Sequence, residues 1–139
     1  MNIKECLERG YLRKDNPDIE KANQSLKIAE NKFDESLKSF EAELFESTIV
    51  FSYMAMFHSA RALLFKDGFI EKSHIAVISF LKEKYEQSIG KQLIYEFNTV
   101  RMARHDSLYG LNTHFSNNDA KHILDISQKF IDKIKTLLS

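Results

Sequence analysis

The stretch that decides the fold runs from Glu43 to Lys66 and reads ELFESTIVFSYMAMFHSARALLFK. Its apolar residues fall three or four positions apart and cover most of the circumference of a helix. They are Phe45, Ile49, Val50, Tyr53, Ala55, Met56, Phe57, Ala60, Ala62, Leu63 and Leu64. A helix that is apolar around most of its girth is buried on several sides. With Asp67-Gly68 as its end, where glycine can take the left-handed cap conformation, this stretch predicts the central helix of a bundle.

Two helical patterns precede the central helix. A short one spans about Ile3 to Gly10, where the glycine would stop it. A longer one starts at Asn16-Pro17, because asparagine is a good cap and proline suits the first helical turn. Its apolar residues form one stripe, made of Ile19, Ala22, Leu26, Ala29, Phe33, Leu37 and Phe40. The opposite face is polar, so we expect it to face solvent.

Three further helices follow the central one. Ser73 can cap a helix from His74 to about Gln87, and the next helix runs from about Lys91 to Ser107. The motif Ser116-Asn117-Asn118-Asp119 matches a capping box at the start of the last helix. The sequence thus predicts one all-α domain over residues 1–139. We describe it as an antiparallel up-and-down bundle of four long helices plus a shorter one.

The composition argues against a strongly basic, a disulfide-bonded and a membrane-spanning protein. The chain has 20 basic and 20 acidic side chains, so any contact with nucleic acid must come from a local patch, not a global field. A single cysteine, Cys6, excludes an internal disulfide and a cysteine-based metal site. The longest stretch without a formal charge, Ser47 to Ala60, has 14 residues, whereas a membrane span needs about 20. Since the N-terminus also lacks a signal-peptide pattern, we expect a cytoplasmic protein that stays out of the membrane.

The densest cluster of reactive side chains reads RMARHDSLY and ends at Tyr109. Arg101 and His105 lie four positions apart, so both project from one face of the predicted helix. A neutral imidazole beside guanidinium groups can act as the base for a ribose hydroxyl while an arginine holds the phosphate. Arg104 and His105 are therefore candidate catalytic residues, and Arg101 and Tyr109 are candidate ligand contacts. The alternative is that Arg104 pairs with Asp106 or with a carboxylate of a neighbouring helix, and that His105 is simply exposed.

Two smaller clusters are further candidates for ligand binding. His58 and Arg61 lie three apart in the apolar run of the central helix, where an arginine needs a partner or a wet cavity. The alternative is a structural pairing of Arg61 with Asp106 or with a glutamate of an early helix. The motif Lys72-Ser73-His74 combines a cation with the free N–H groups of a helix N-terminus, which attract anions. Here the alternative is that Ser73 does no more than cap the helix.

The sequence predicts neither a metal site nor a cofactor site. Its five histidines are scattered without a close pattern of carboxylates. Its four glycines are dispersed, so there is no glycine-rich phosphate loop. The spacing of its residues also indicates no Ser-His-Asp or Cys-His pair of nucleophile and base.

Several of these residues carry a family resemblance. The segments YMAMFHSARALL, from Tyr53, and GFIEKSH, from Gly68, closely resemble the central stretch of prokaryotic HEPN-domain proteins. The nearest group is a small stand-alone one found in archaea and bacteria. The later segment Arg104-His-Asp-Ser-Leu-Tyr109 is similar to the Arg-x-x-Ala-Asp-Tyr of that group. The resemblance extends from about Lys21 to Leu137.

The resemblance implies a compact helical bundle, often homodimeric, that works with nucleotides or RNA. Many such proteins are encoded beside a minimal nucleotidyltransferase and act with it as a toxin–antitoxin pair. The family positions that carry over to this sequence are His58, Arg61, Lys72, His74, Arg104 and Tyr109.

The sequence departs from the family pattern at two places. Nuclease members of the wider superfamily have an arginine that is followed, after four to six residues, by a histidine. Here three residues separate Arg101 from His105 and nine separate Arg104 from His114, so that motif for metal-independent RNA cleavage is not matched. In addition, Ser107-Leu108 replaces Ala-Asp, so the acidic residue before the tyrosine is missing.

Three functions therefore stay open at the level of sequence. The first is a binding module for nucleotide or RNA phosphates, working with a minimal nucleotidyltransferase as part of a toxin–antitoxin pair. The second is an endoribonuclease toxin that uses Arg101, Arg104 and His105, so enzymatic activity is left undecided. The third is a purely structural interaction protein whose polar cluster holds the helices in register.

We also expect a homodimer. The central helix is apolar over more of its circumference than one bundle needs, and the family resemblance also implies a homodimer. Two-fold symmetry would place both Arg101–Tyr109 clusters near one cleft and double its positive charge. A monomeric mass at micromolar concentration would contradict this expectation.

Overall fold

The computed structural model describes residues 1–111 and 114–139. Its elements are α1 (Ile3–Glu8), β1 (Leu12–Lys14), α2 (Ile19–Glu41), α3 (Phe45–Asp67), β2 (Phe69–Glu71), α4 (His74–Ile89), α5 (Lys91–Tyr109) and α6 (Asn117–Leu138). The predicted all-α fold is confirmed. Five of the described helices have 16 residues or more, so the structure contains one more long helix than the predicted four. A short antiparallel ribbon of β1 and β2 was not predicted from the sequence.

Helix α3 is the centre of the bundle, as the sequence predicts. It packs against α2, α4, α5, α6 and β2, and its large side chains Ile49, Met56, Leu63 and Leu64 are fully buried. By length and composition it is the one helix in the described ranges that could cross a membrane. Because 61% of the apolar window is buried inside the bundle, this is weak evidence for a membrane span. The core helix of a globular protein has the same composition.

The buried residues of α2 are small, whereas the large Phe40 meets Phe45 of α3 near the helix end, with 5.9 Å between ring centroids. These small residues are Ala22, Ser25, Ala29, Ser36 and Ser39. The Ser36 and Ser52 hydroxyls lie 2.6 Å apart, and the Ser25 hydroxyl donates to the backbone oxygen of His58 at 2.7 Å. In contrast, Ile19 of the predicted stripe is 50% exposed. The predicted inward face of α2 is therefore partly wrong, because the small residues allow the two helices to approach closely.

The start of α2 also differs from the prediction. Asp18 caps the helix in place of Asn16, since its carboxylate accepts a hydrogen bond from the Lys21 backbone N–H at 3.0 Å. The preceding segment is tied to the end of α3 by the bonds of the Asp15 N–H to Gly68 and of the Asp18 N–H to Phe65. These bonds hold the chain extended through Pro17 and delay the first helical turn.

The ribbon positions the start of α4. Strand β1 pairs with β2 so that Leu12 lies opposite Glu71, and the Lys72 N–H then donates to the Tyr11 carbonyl at 2.8 Å. The ribbon thus fixes the backbone up to the residue before the Ser73 cap. The predicted capping box of Ser116 and Asp119 at the start of α6 is confirmed.

Candidate functional site

The first turn of α4 carries a histidine that reaches into the bundle. His74 Nδ1 lies 2.5 Å from the hydroxyl of Tyr53, which is on α3 and almost fully buried. The His74 ring also stacks on Phe57, with 4.6 Å between ring centroids and 26° between planes. The structure therefore locks a candidate ligand residue between two aromatic side chains of the central helix.

Two arginines of α5 lie on the same side of the bundle. The Arg104 guanidinium carbon lies 5.6 Å from the centre of the Tyr53 ring, in the range of a cation–π contact. Arg101 Nε donates to the Asn98 side-chain oxygen at 3.1 Å. Both arginines are close enough to His74 for their charges to act on its imidazole. We refer to Tyr53, Phe57, His74, Arg101 and Arg104 as the His74 cluster.

The electrostatics of the cluster keep His74 neutral. Burial is the largest cause that lowers its pKa, the positive charges of Arg104 and Arg101 lower it further, and Glu71 opposes them. Burial raises the pKa of Tyr53, so this phenol keeps its proton at neutral pH. The Tyr53 hydroxyl and His74 Nδ1 are hydrogen-bonded, and the tautomer of His74 sets which of the two donates. In one tautomer Tyr53 donates and Nδ1 accepts. The remaining imidazole nitrogen, Nε2, then carries the hydrogen and can donate to a ligand.

Among the described residues, Arg104 has no carboxylate partner. In residues 1–111 and 114–139, no carboxylate lies within 4 Å of Arg101 or Arg104, and Arg104 Nε is buried without a hydrogen bond. A buried donor without an acceptor costs about 1–3 kcal/mol. The alternative in which Arg104 pairs with Asp106 or a neighbouring carboxylate is therefore wrong. Two guanidinium groups without a carboxylate partner in the described residues, beside a neutral imidazole, concentrate positive charge in a protein of zero net charge.

Arg61 has a partner, and it is neither Asp106 nor an early-helix glutamate. Its Nε lies 2.9 Å from Glu71 Oε1, because the ribbon brings the end of β2 beside α3. The geometry is that of an ion pair and not of an aligned hydrogen bond, since Arg61 Nε and Glu71 Oε2 both lack a bonded partner among the described atoms. The guanidinium also lies over Phe65, at 5.0 Å.

His58 lies next to this ion pair but is not part of the His74 cluster. Its ring meets Phe57 edge-on, with 5.8 Å between centroids, and its Nδ1 is buried with no hydrogen-bond partner in the described chain. Burial is the largest cause that lowers the pKa of His58, followed by the charges of Arg61 and Lys32. His58 and Arg61 therefore form a second group next to Phe57, in which Glu71 partly neutralises the charge of Arg61.

The candidate catalytic pair Arg104 and His105 is not brought together. Arg104 turns toward Tyr53, whereas His105 points to solvent with 66% of its side chain exposed. The His105 ring contacts Tyr109 instead, with 5.1 Å between centroids. Adjacent residues on a helix point about 100° apart, which accounts for this separation. The predicted alternative of an exposed His105 describes what the structure shows.

The remaining predicted ligand residues lie at the rim. Ser73 caps α4 by accepting from the Ile75 N–H at 3.2 Å, which leaves its O–H able to donate. Lys72 is exposed, and no carboxylate of the described chain lies within 4 Å of its ammonium group. In the same residues, no three His, Cys, Asp or Glu side chains converge on a possible metal site.

The apolar pattern of the central helix predicts that Tyr53 and Phe57 belong to the core and not to a site. Both do pack in the bundle, but they also orient His74 and Arg104. A signal was present, since Tyr53 is a polar-tipped residue in an apolar run, and a buried phenol needs a hydrogen-bond partner. The identity of that partner, 21 positions along the chain, could not be read from helical spacing.

Comparisons with known proteins agree with this fold. The model of the HEPN domain family matches residues 22–137. A protein of Methanocaldococcus jannaschii named "Putative toxin MJ0605" is 30% identical over 129 residues, which cover 88% of this chain and 93% of that protein. A "UPF0332 protein" of Archaeoglobus fulgidus is 28% identical over 115 residues, covering 82% of this chain and 92% of the relative. The match covers nearly the range predicted from the resemblance.

Proposed function

Because the chain belongs to the HEPN domain family, we propose that it is a toxin-type HEPN module that binds RNA through phosphates held at the His74 cluster. The family match and the name of the Methanocaldococcus relative support the coarse part of this proposal. The geometry of the cluster supports the finer part. We place the protein in the cytoplasm, where RNA is available.

The observation that carries the proposal is the pair of uncompensated arginines beside His74. Arg101 and Arg104 have no carboxylate within 4 Å in the described chain. A phosphate that enters the cluster would meet two guanidinium groups and the His74 Nε2–H, all of which are donors. Lys72 at the rim adds a further cation. Arginine suits this task because its planar fork matches the oxygens of a phosphate.

The same geometry favours binding over cleavage. We take His74 as the tautomer that accepts from Tyr53, which places the imidazole hydrogen on Nε2 and leaves no free lone pair for a general base. His105, the other candidate base, points to solvent and away from Arg104. Endoribonuclease activity is therefore an outcome to be tested and not our first proposal.

We further propose that the active unit is a homodimer. Three large side chains on α5 lie seven positions apart on one face and are exposed: Tyr95 (64%), Met102 (56%) and Tyr109 (68%). Seven-residue spacing is the repeat that lets two helices pack along a common seam. If the α5 helices of two copies meet there, both His74 clusters come near one cleft.

A protein partner is the last part of the proposal. The family resemblance implies a minimal nucleotidyltransferase that acts with this protein as a toxin–antitoxin pair. The cationic rim at Lys72, outside the proposed dimer seam, would be accessible to such a partner. Co-purification of the two proteins after co-expression is the direct check.

The test of RNA binding compares three variants with the wild-type protein. Arg104→Met removes the charge but keeps an apolar chain over Tyr53, His105→Ala removes the exposed imidazole, and Arg9→Ala removes an exposed arginine that is not part of the cluster. Labelled single-stranded RNA is then assayed for both binding and cleavage. We expect binding without cleavage, weakened roughly tenfold to a hundredfold by Arg104→Met, because a charged hydrogen bond contributes roughly 1.5–3 kcal/mol. Arg9→Ala should bind normally.

Other outcomes would redirect the proposal. Cleavage that disappears in folded Arg104→Met and His105→Ala proteins would make the protein a ribonuclease. A normal RNA affinity in Arg104→Met, combined with a lower melting temperature, would indicate a structural role for Arg104. Since Arg104 Nε lacks a partner, we expect the stability of Arg104→Met to change little.

A further inference from the structure

A groove of about 320 Å³ lies between α4 and α5, beside the His74 cluster. Its walls include Ile75, Ile78, Ser79 and Lys82 from α4 and Asn98 and Arg101 from α5. These side chains supply two cations, an amide and a hydroxyl around an apolar floor. The lining contains no carboxylate among the described residues. Such a groove is suited to an anionic ligand that also has an apolar part.

The two cations of the groove are free to take a ligand. Arg101 Nε is held by Asn98 at 3.1 Å, which orients the guanidinium while leaving its terminal N–H groups. The Lys82 side chain is exposed, and no carboxylate in the described ranges lies within 4 Å of it. Ile75 is 53% exposed, which gives the floor of the groove an open apolar surface.

The groove is continuous with the His74 cluster. Arg101 belongs to both, and Ile75 directly follows His74 in the first turn of α4. Arg101 and Arg104 are three residues apart on α5, or about 4.5 Å along the helix axis. A ligand that occupies the cluster would therefore extend into the groove without leaving the protein surface.

We infer that the groove is a second subsite for single-stranded RNA, in which Lys82 and Arg101 hold the phosphate next to the one at the His74 cluster. The sugar or base of that nucleotide lies against Ile75 and Ile78. The inference rests on the proposed function, because it adds a neighbouring nucleotide to RNA already bound at the cluster. A groove of this volume accepts one nucleotide of a flexible strand, whereas a stacked duplex could not fold its backbone into it.

The test uses a ten-nucleotide single-stranded RNA and two matched lysine variants. Lys82→Ala removes a cation from the groove, and Lys84→Ala removes one from the same helix outside the groove, where Lys84 lies over Phe69. Affinity is measured as a function of salt concentration. One phosphate contact on a single strand contributes a slope of about 0.7 in log K against log[salt], which is about fivefold in affinity at 0.1 M salt. We expect that loss in Lys82→Ala and no change in Lys84→Ala.

An Arg104→Met control separates the inference from the proposed function. If the wild type binds RNA and Arg104→Met weakens it, but Lys82→Ala and Lys84→Ala have equal salt slopes and affinities, the second subsite does not exist. If the wild type binds no RNA, the proposed function fails and the subsite with it. The charge reversal Lys82→Glu provides a second check, because it should weaken binding more than Lys82→Ala at an exposed position that does not affect folding.

Discussion

At the scale of single residues, the partly buried histidines are the most informative feature. His74 and His58 are both buried enough to lower their pKa below the ordinary value of 6.5. A lowered pKa in the folded state means that the unfolded chain binds protons more readily at mildly acidic pH. Stability from these two residues is therefore complete above pH 6.5 and is lost as the pH falls below it toward the folded-state values.

This argument predicts the pH dependence of unfolding. The free energy of unfolding, measured in urea between pH 8 and pH 5.5, should fall as the pH drops below 6.5. His74→Gln should reduce the slope of that fall, because glutamine does not titrate, and the double variant with His58→Gln should reduce it further. An identical slope in the wild type and the double variant would contradict the assignment.

At the scale of secondary structure elements, the end of α3 depends on one glycine. Gly68 has φ of 84°, and a Cβ atom there would lie 2.7 Å from the Asp15 carbonyl oxygen and 3.0 Å from Pro17 Cδ. This close approach lets the segment before α2 bond to the end of α3, which also sets where α2 begins. The lack of a side chain at Gly68 thus allows the end of α3, the start of α2 and the ribbon to lie close together.

The matched comparison at this scale is Gly68→Ala against Gly10→Ala. Both glycines have positive φ, but a Cβ at Gly10 would meet no atom within 4 Å. Gly10→Ala should cost about 1–2 kcal/mol for the left-handed backbone alone. Gly68→Ala should cost clearly more, because the backbone of Asp15 must also move. Thermal unfolding of the two variants measures the difference, and equal losses would show that the close contact relaxes freely.

At the scale of the whole molecule, the proposed dimer depends on the exposed α5 side chains of Tyr95, Met102 and Tyr109. Met102→Asp places a charge in the middle of these three side chains and should convert a dimer into a monomer, since a buried unpaired charge is costly. Ile19→Asp, at a similarly exposed isoleucine on α2, is the control and should leave the mass unchanged. Light scattering at micromolar concentration distinguishes the two. A monomeric wild type would rule out the dimer, and a dimeric Met102→Asp would place its interface elsewhere.

Much of the fold could be predicted because its determinants are local. The apolar girth of α3, the Gly68 stop, the Ser73 cap and the capping box at Ser116 each depend on residues within a few positions of one another. The inward face of α2 could not be predicted in the same way. Which of its faces is buried depends on the serine and alanine residues of α3 that meet it, and helical periodicity favours the larger apolar residues instead.

The candidate site shows the same division between near and distant residues. The candidate residues can be recognised without the structure: the arginines of α5, the histidine that begins α4 and the arginine of α3 all stand out from the local pattern. The tertiary structure alone decided their partners. Tyr53 meets His74, Glu71 pairs with Arg61, and Arg104 turns inward while His105 faces solvent. These contacts join residues of different elements, and they form after the helices pack, because side-chain spacing within one helix contains no information about the neighbouring one.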